Sequence, residues 1–155
     1  MKAFFNKLRV KNISVHIYYM DTYKAFKTYK EYLIQKKKIN INKIRYFITI
    51  DSQNAHESYL FNNVFLLRTV KKKGPVIGDC KTWKQFRGQS MYPYTINKIA
   101  KDLLESHINE VFIVVNQDNS SSIKGLEKAH FKKFASINAT RWLFLYFKLN
   151  IKKHT

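Results

Sequence analysis

The chain has 155 residues, of which 45% are apolar, enough to bury the core of one domain, and its formal net charge of +19 makes it strongly basic. Its single cysteine excludes a disulfide framework and a cysteine-rich zinc site, and no apolar run approaches the roughly 18–20 residues of a membrane helix. The charged N-terminus also lacks the apolar stretch of a signal peptide, so we expect one cytoplasmic domain over residues 1–155.

The first 43 residues carry the weakest structural signals. Residues 12–19 are rich in β-branched and aromatic side chains and predict a strand. Residues 22–35 predict an amphipathic helix, because aromatic and apolar residues recur there at roughly helical spacing: Tyr23, Phe26, Tyr29, Tyr32 and Leu33. We expect this stripe to face the core and the lysine-rich residues 36–42 to form a connection.

The middle of the chain predicts strands at residues 44–50 and 58–61, with a turn between them, and a third strand at residues 75–82. A small-residue turn at residues 85–92 then opens a helix, in which Pro93 suits the first turn and the apolar repeat ends near Ser106. A strand, a tight turn and a helix N-terminus together favour an anion, and Arg87 adds a cation. This junction predicts a ligand that carries phosphates.

The last third of the chain completes an alternating α/β pattern. The apolar run within residues 110–116 predicts a central strand that is buried on both faces. Cap-forming residues at 118–122 precede a short predicted helix at 123–129, and residues 131–135 and 141–147 predict the closing strands.

Two motifs in this frame resemble those of the GNAT (GCN5-related) N-acyltransferase family. The family's acyl-CoA motif, Arg/Gln-x-x-Gly-x-Gly/Ala, stands here as Arg87-Gly-Gln-Ser-Met-Tyr92, and its second signature stands as residues 119–131, which run from Asn119 to Phe131. The resemblance covers residues 44–150, and residues 1–43 are divergent and shorter than is usual in the family. Tyr92-Pro93 and the run Ser-Ile-Lys-Gly at 122–125 are most similar to a bacterial subgroup linked to surface-polysaccharide and amino-sugar pathways.

The resemblance implies an α/β (α+β) fold, with a mixed, mostly antiparallel twisted sheet and flanking helices. It implies that strands 75–82 and 110–116 run parallel and splay apart around acetyl-CoA, with no metal. The residues implied to contact acetyl-CoA are Cys80, Lys81, Thr82, Arg87, Gly88, Gln89, Ser90, Met91, Tyr92, Asn119 and Ser122. The implied reaction is N-acetyl transfer to a primary amine of a small molecule, such as a nucleotide-linked amino sugar.

Several positions depart from the family pattern. Ser90 and Tyr92 occupy the positions of the two motif glycines, where a backbone close to a pyrophosphate leaves little room for a Cβ atom. His130 replaces the glycine before the aromatic residue of the second motif. Leu126 stands where many members carry the tyrosine that protonates the leaving thiolate, so Tyr92 or Tyr94 would have to replace it, or water.

A general base must come from elsewhere in the chain. We expect His56, in the turn before residues 58–61, to take this role because its ordinary pKa suits neutral pH; Glu57 and Asp79 are the alternatives. Each could instead be structural, and Cys80 is better explained as a small apolar residue on a strand than as a nucleophile.

Two other functions remain open at this point. Leu126 and Ser90 are compatible with a GNAT-fold protein that binds acyl-CoA without catalysis. The positive charge, with lysine triplets at 36–38 and 71–73 and many aromatic residues, is compatible with a nucleic-acid-binding module. The triplets lie in separate segments and the composition is that of an AT-rich coding sequence, so we expect nucleic acid to be the lesser candidate.

Overall fold

One mixed eight-stranded sheet forms the centre of the computed structural model, which describes residues 10–143 and 145–154. Its strands are β1 (Lys11–Met20), β2 (Gln35–Asn40), β3 (Lys43–Ile50), β4 (Gln53–Phe61), β5 (Val76–Thr82), β6 (Val111–Asn116), β7 (Lys132–Trp142) and β8 (Leu145–Lys153). Two α-helices, α1 (Met91–Glu105) and α2 (Ser120–Lys128), and 3₁₀ turns at Phe65–Val70 and Lys84–Phe86 complete the fold. The strand order is β2-β3-β4-β5-β6-β1-β7-β8. The predicted α+β class is confirmed.

The two faces of the sheet are covered by different elements. Successive residues of a strand point to opposite faces, and the core divides accordingly: Ile77 and Ile113 pack beneath α1 and α2, whereas their neighbours Val76 and Phe112 pack on the other side. There the 3₁₀ turn Phe65–Val70 closes the second core with Leu66, Leu67 and Val70. Strand β6 is therefore buried on both faces, as its apolar run predicts.

The parallel pair β5 and β6 stays together for only two residues. Val76 pairs with Phe112 and Ile77 with Ile113, and no further pairing joins these strands. Beyond Gly78, β5 bulges: Asp79 and Cys80 together face Ser58 of β4, and Asp79 has a positive φ of 49°, as the first residue of a G1-type bulge does. The bulge turns the end of β5 away from β6, and the predicted splaying of this pair is confirmed.

The N-terminal strand β1 lies in the interior of the sheet. It pairs antiparallel with β6 on one side and with β7 on the other, and Ile17, Tyr18 and Met20 are almost completely buried. The sequence predicts a strand here but not its neighbours. Because β6 and β7 do not pair with each other, β1 between them joins the two parts of the sheet in one core.

The helix predicted at residues 22–35 is wrong. Residues 21–34 run as irregular chain over α1. The buried side chain of Asn97 binds their backbone: its Oδ1 accepts a hydrogen bond from the N–H of Phe26 (3.2 Å), and its Nδ2 donates one to the carbonyl of Lys24 (2.9 Å). Tyr32 is buried, but Tyr29 is fully exposed and Leu33 is 81% exposed. The stripe therefore does not act as one core face, because contacts to α1 outweigh the weak helix propensity of aromatic residues.

Three further boundaries differ from the predictions. The lysine-rich residues 36–42, predicted as a connection, contain the edge strand β2. His56 lies within β4 and not in a turn, because β4 begins at Gln53. Residues 141–147 are not one strand but the tip of the β7–β8 hairpin. Among the described residues, no helix is both long and apolar enough to cross a membrane.

Candidate functional site

A cleft opens where β5 and β6 separate. Its main cavity, about 470 Å³, lies between the end of β5, the turn before α1 and the start of α2. The lining residues are Cys80, Lys81, Thr82, Arg87, Tyr92, Asn119, Ser121 and Ser122. Seven of these eight are among the acyl-CoA contacts implied by the sequence motifs, and Ser121 is the exception.

A second cavity of about 330 Å³ continues the cleft along the turn before α1. It shares Thr82, Arg87, Tyr92 and Ser121 with the first cavity, and its remaining lining residues are Phe86, Gly88, Gln89, Ser90, Met91, Pro93, Lys124, Gly125 and Lys128. The structure thus brings all eleven motif residues to one continuous cleft, although they come from three separate elements.

The turn before α1 presents backbone groups to the second cavity. Gly88 and Ser90 have positive φ values of 79° and 58°, and Ser90 precedes the helix without capping it through its side chain. The N–H groups of a helix's first turn have no partner inside the helix. Met91 and Tyr92, the first two residues of α1, line this cavity, so the helix start can hold an anion as the sequence predicts.

Three cations surround the same cavity. Arg87 is held across the turn by a hydrogen bond that its Nε donates to the carbonyl of Thr82 (3.2 Å). Lys124 and Lys128 lie four residues apart on α2 and therefore on one helix face. Neither lysine is predicted from the sequence, although its position five residues beyond Asn119 places Lys124 one turn into α2.

Gly125 explains how the chain accommodates Tyr92 in place of a glycine. A Cβ atom added at Gly125 would lie only 2.6 Å from Cδ1 of Tyr92, so the ring of Tyr92 packs directly on the backbone of α2. The bulky residue on one helix is matched by the missing side chain on the other. The pair fixes the spacing of α1 and α2 at the cleft.

Asn119 shapes the cleft as the N-cap of α2. Its Oδ1 accepts hydrogen bonds from the N–H of Ser122 and the hydroxyl of Ser121, both at 3.1 Å. This arrangement satisfies a backbone donor at the helix start and turns Ser121 toward the cavity.

A chain of hydroxyl groups and one imidazole leads inward from the cleft. Thr82, which lines both cavities, has its Oγ1 at 2.7 Å from Nδ1 of His56, whose Nε2 lies 2.8 Å from Oγ of Ser58. His56 and Ser58 are completely buried. Burial lowers the pKa of His56 from 6.5 to about 4, so the ring is neutral at physiological pH. His56 lines neither cavity, and its hydrogen bond with Thr82 connects it to the cleft.

The ring of Tyr92 lies next to His56, with 6.1 Å between the ring centroids, and its hydroxyl interacts with Ser122 and Cys80. Burial raises the pKa of Tyr92, with a contribution from Cys80, so the hydroxyl remains protonated. Burial likewise raises the pKa of the Cys80 thiol to about 12, which agrees with its interpretation as an unreactive residue. Leu126 is completely buried in the core, and the Tyr94 hydroxyl donates to the carbonyl of Tyr32. Of the two tyrosines considered, only Tyr92 lines the cleft.

Glu57 and Asp79 do not line either cavity. The Glu57 carboxylate pairs with Arg45 (2.9 Å) and accepts a hydrogen bond from Tyr59, on the strand face opposite His56. Asp79, whose side chain is 63% exposed, pairs with Lys43 at the bulge. Among the described residues, no group of three or more histidine, cysteine, aspartate or glutamate side chains could hold a metal ion.

Comparison with known proteins identifies a solved structure with a similar fold. No family model matches the sequence, and no curated protein matches it significantly. A crystal structure of a GNAT-family protein from Novosphingobium aromaticivorans, provisionally named an acetyltransferase, superposes with a TM-score of 0.60 at 14% sequence identity. The match covers 95% of this chain and 68% of that one. The chain therefore has the fold of a GNAT acetyltransferase.

Proposed function

We propose that this protein transfers an acetyl group from acetyl-CoA to a primary amine of a small molecule. One observation carries the proposal: a cleft lies between two splayed parallel strands and continues along an uncapped helix start that three cations surround. An elongated ligand with an acyl end and a polyphosphate end suits this arrangement. The same fold in a GNAT-family protein supports the choice of reaction.

The residues of the cleft fit acetyl-CoA. Arg87, Lys124 and Lys128, with the N–H groups at the start of α1, would hold its phosphates. The edge of β5 that no longer pairs with β6, at residues 80–82, would hold its pantetheine arm and offer backbone N–H groups to the acyl oxygen. When bound, acetyl-CoA supplies an acetyl group already activated as a thioester.

Two groups of the chain are placed to handle protons. The Tyr92 hydroxyl, which keeps its proton because its pKa is raised, can donate a hydrogen bond to the departing sulfur. Thr82 Oγ1, backed by neutral His56, can accept a hydrogen bond from the incoming amine. His56 is thus a positioning residue in this proposal, and its pKa of about 4 makes it a weak base at neutral pH. We infer that the amine binds in its neutral form or loses its proton to water.

A nucleotide-linked amino sugar is the acceptor that we propose to test first. The similarity of Tyr92-Pro93 and of residues 122–125 to the polysaccharide-associated subgroup supports it, and so does the net charge of +19, which would attract a second phosphorylated ligand.

Calorimetry and a turnover assay together test the proposal. Arg87→Ala should weaken CoA binding by about 1.5–3 kcal/mol, the usual contribution of a hydrogen bond to a charged group. Arg141→Ala is the matched control, because Arg141 lies on β7 and lines neither cavity. Equal CoA affinity in the wild type and in folded Arg87→Ala would refute the placement of the phosphates.

Turnover is measured as CoA thiol release over a panel of amines that includes nucleotide-linked amino sugars. CoA binding without release of thiol from any amine would favour the alternative of a GNAT-fold protein that binds acyl-CoA without catalysis, which the weak basicity of His56 also permits.

A further inference from the structure

A second concave site lies at the opposite end of β5 from the cleft. It is a cavity of about 360 Å³ built from three segments: the β2–β3 turn, residues 62–64 after β4, and the 3₁₀ turn Phe65–Val70 with the loop that follows it to β5. Its lining residues are Asn42, Asn62, Asn63, Val64, Leu67, Arg68, Lys72, Lys73 and Gly74. Because Val76 and Thr82 stand at the two ends of β5, at about 3.3 Å per residue the two sites are separated by roughly 20 Å.

Hydrogen bonds join the first two of these segments and fix the shape of the third. Asn62 donates its N–H to the carbonyl of Asn42 (3.1 Å) and its Nδ2 to the carbonyl of Ile41 (3.0 Å). Lys71, with a φ of 58°, donates its N–H to Arg68, and Lys72 donates to Leu67 (3.0 Å). This left-handed cap folds the lysine triplet back beside Arg68. The four cations are therefore grouped by this local turn, which the fold places beside Asn42 and Asn63.

The charge around this cavity is not balanced. An adjoining cavity of about 570 Å³ shares Arg68, Lys72 and Lys73 and adds Lys71 and Glu110, so four cations and one carboxylate line the two. The carboxylate of Glu110 forms an ion pair with Lys72. Within the part of the chain that the structure describes, no carboxylate pairs with Arg68, Lys71 or Lys73. These three side chains are exposed, and the Arg68 guanidinium packs over the ring of Phe65 at 4.6 Å. Arg68 and Lys73 line both cavities, so an anion bound there would be attracted by each of them.

The side-chain amides beside these cations indicate which kind of anionic ligand the cavity suits. Asn42 and Asn63 bring side chains that both donate and accept hydrogen bonds, which suit the hydroxyl groups of a sugar. The volume lies at the lower end of the range for small-molecule sites. Guanidinium and ammonium groups are preferred partners of phosphate.

We propose that this cavity binds a phosphate monoester of a small polyhydroxylated molecule, such as a sugar phosphate or a nucleotide. Arg68 and Lys73 hold the phosphate, while Asn42 and Asn63 contact the remainder of the ligand. The site is separate from the acetyl-CoA cleft and does not depend on the acetyl-transfer proposal.

Isothermal calorimetry at fixed ionic strength tests this site, with inorganic phosphate, ribose 5-phosphate, AMP and unphosphorylated ribose as probes. The test variant is Arg68→Gln/Lys73→Gln. Lys37→Gln/Lys38→Gln is its matched control, because it removes the same charge from the exposed strand β2. Arg87→Gln is a second control, which shows whether a probe binds in the acetyl-CoA cleft instead. If the double variant does not fold, the single variant Lys73→Gln takes its place.

We expect the wild type to bind ribose 5-phosphate or AMP more tightly than ribose. The affinity for the phosphate ester should fall by at least about tenfold in the test variant, which corresponds to the loss of one hydrogen bond to a charged group. In each of the two controls the affinity should fall by no more than about twofold. Preference for ribose 5-phosphate over AMP would identify a sugar-phosphate site, and the reverse a nucleotide site. The proposal is overturned if no phosphate ester binds saturably at millimolar concentration. Equal losses in the Lys37/Lys38 control, or a loss confined to Arg87→Gln, would also overturn it.

Discussion

Replacing Tyr92 by phenylalanine removes a single oxygen atom from the wall of the cleft. The ring should stay in place, because it packs on Gly125 so closely that a Cβ atom there would lie 2.6 Å away. Tyr92 lines the cavity, and its largely buried hydroxyl interacts with Ser122, so the variant loses one hydrogen bond between neutral groups. We therefore expect a stability loss of about 1 kcal/mol and nearly unchanged CoA affinity.

Turnover should fall much more than stability. The proposed role of the hydroxyl is one hydrogen bond to a sulfur that becomes negatively charged, and such a bond contributes about 1.5–3 kcal/mol, or about 10–150-fold in rate. A loss near 150-fold in turnover is expected only if the sulfur cannot leave without this hydrogen-bond donor. Because burial raises the pKa of Tyr92, loss of its proton should not lower the wild-type rate at any pH below about 10.

The assay is steady-state release of free thiol from acetyl-CoA with the best amine of the panel. Tyr94→Phe is the matched control: it loses the hydroxyl that donates to the carbonyl of Tyr32, outside the cleft, so its stability should fall by about 1 kcal/mol while its turnover is retained. A Tyr92→Phe variant with turnover within about twofold of the wild type would refute the reasoning, as would equal losses in the two variants.

Three more outcomes are expected from the same structure. Ser90→Gly should raise the free energy of unfolding by up to about 1 kcal/mol in urea denaturation, because φ at Ser90 is 58°; a less stable variant would contradict this. His56 has a folded pKa of about 4 and an unfolded value of 6.5, so unfolded chains bind the additional proton. The wild type should therefore lose about 3 kcal/mol more than His56→Gln between pH 7 and pH 4, and parallel pH profiles would exclude this effect. Deletion of residues 1–20 should abolish cooperative thermal unfolding, because it removes β1 from between β6 and β7; a folded truncation would show that β1 is dispensable.

The elements around the cleft could be predicted because their signals are local. An apolar run bounded by polar residues marks β6, Gly74 and Pro75 mark the start of β5, and the repeat after Pro93 marks α1. Their order along the chain, with the resemblance of residues 87–92 and 119–131 to known motifs, was enough to predict the parallel pair and its splaying. The motif residues that line the cleft could be named in the same way, since each lies at the end of β5, in the turn before α1 or at the start of a helix.

Other features depended on contacts between distant segments. Residues 21–34 have helical spacing, but Asn97 and the surface of α1 hold them in irregular chain. The residues around His56 in the sequence do not predict its burial, yet its position in β4 buries the ring completely and thereby lowers its pKa.

The tertiary structure also decided which charges act together. Lys124 and Lys128 join Arg87 only because α2 packs beside the turn before α1, and Arg68 lies near Asn42 only because the β2–β3 turn packs beside the segment after β4. Apolar periodicity is encoded in neighbouring residues, whereas burial, strand neighbours and the grouping of cations arise from which surfaces meet when the chain folds.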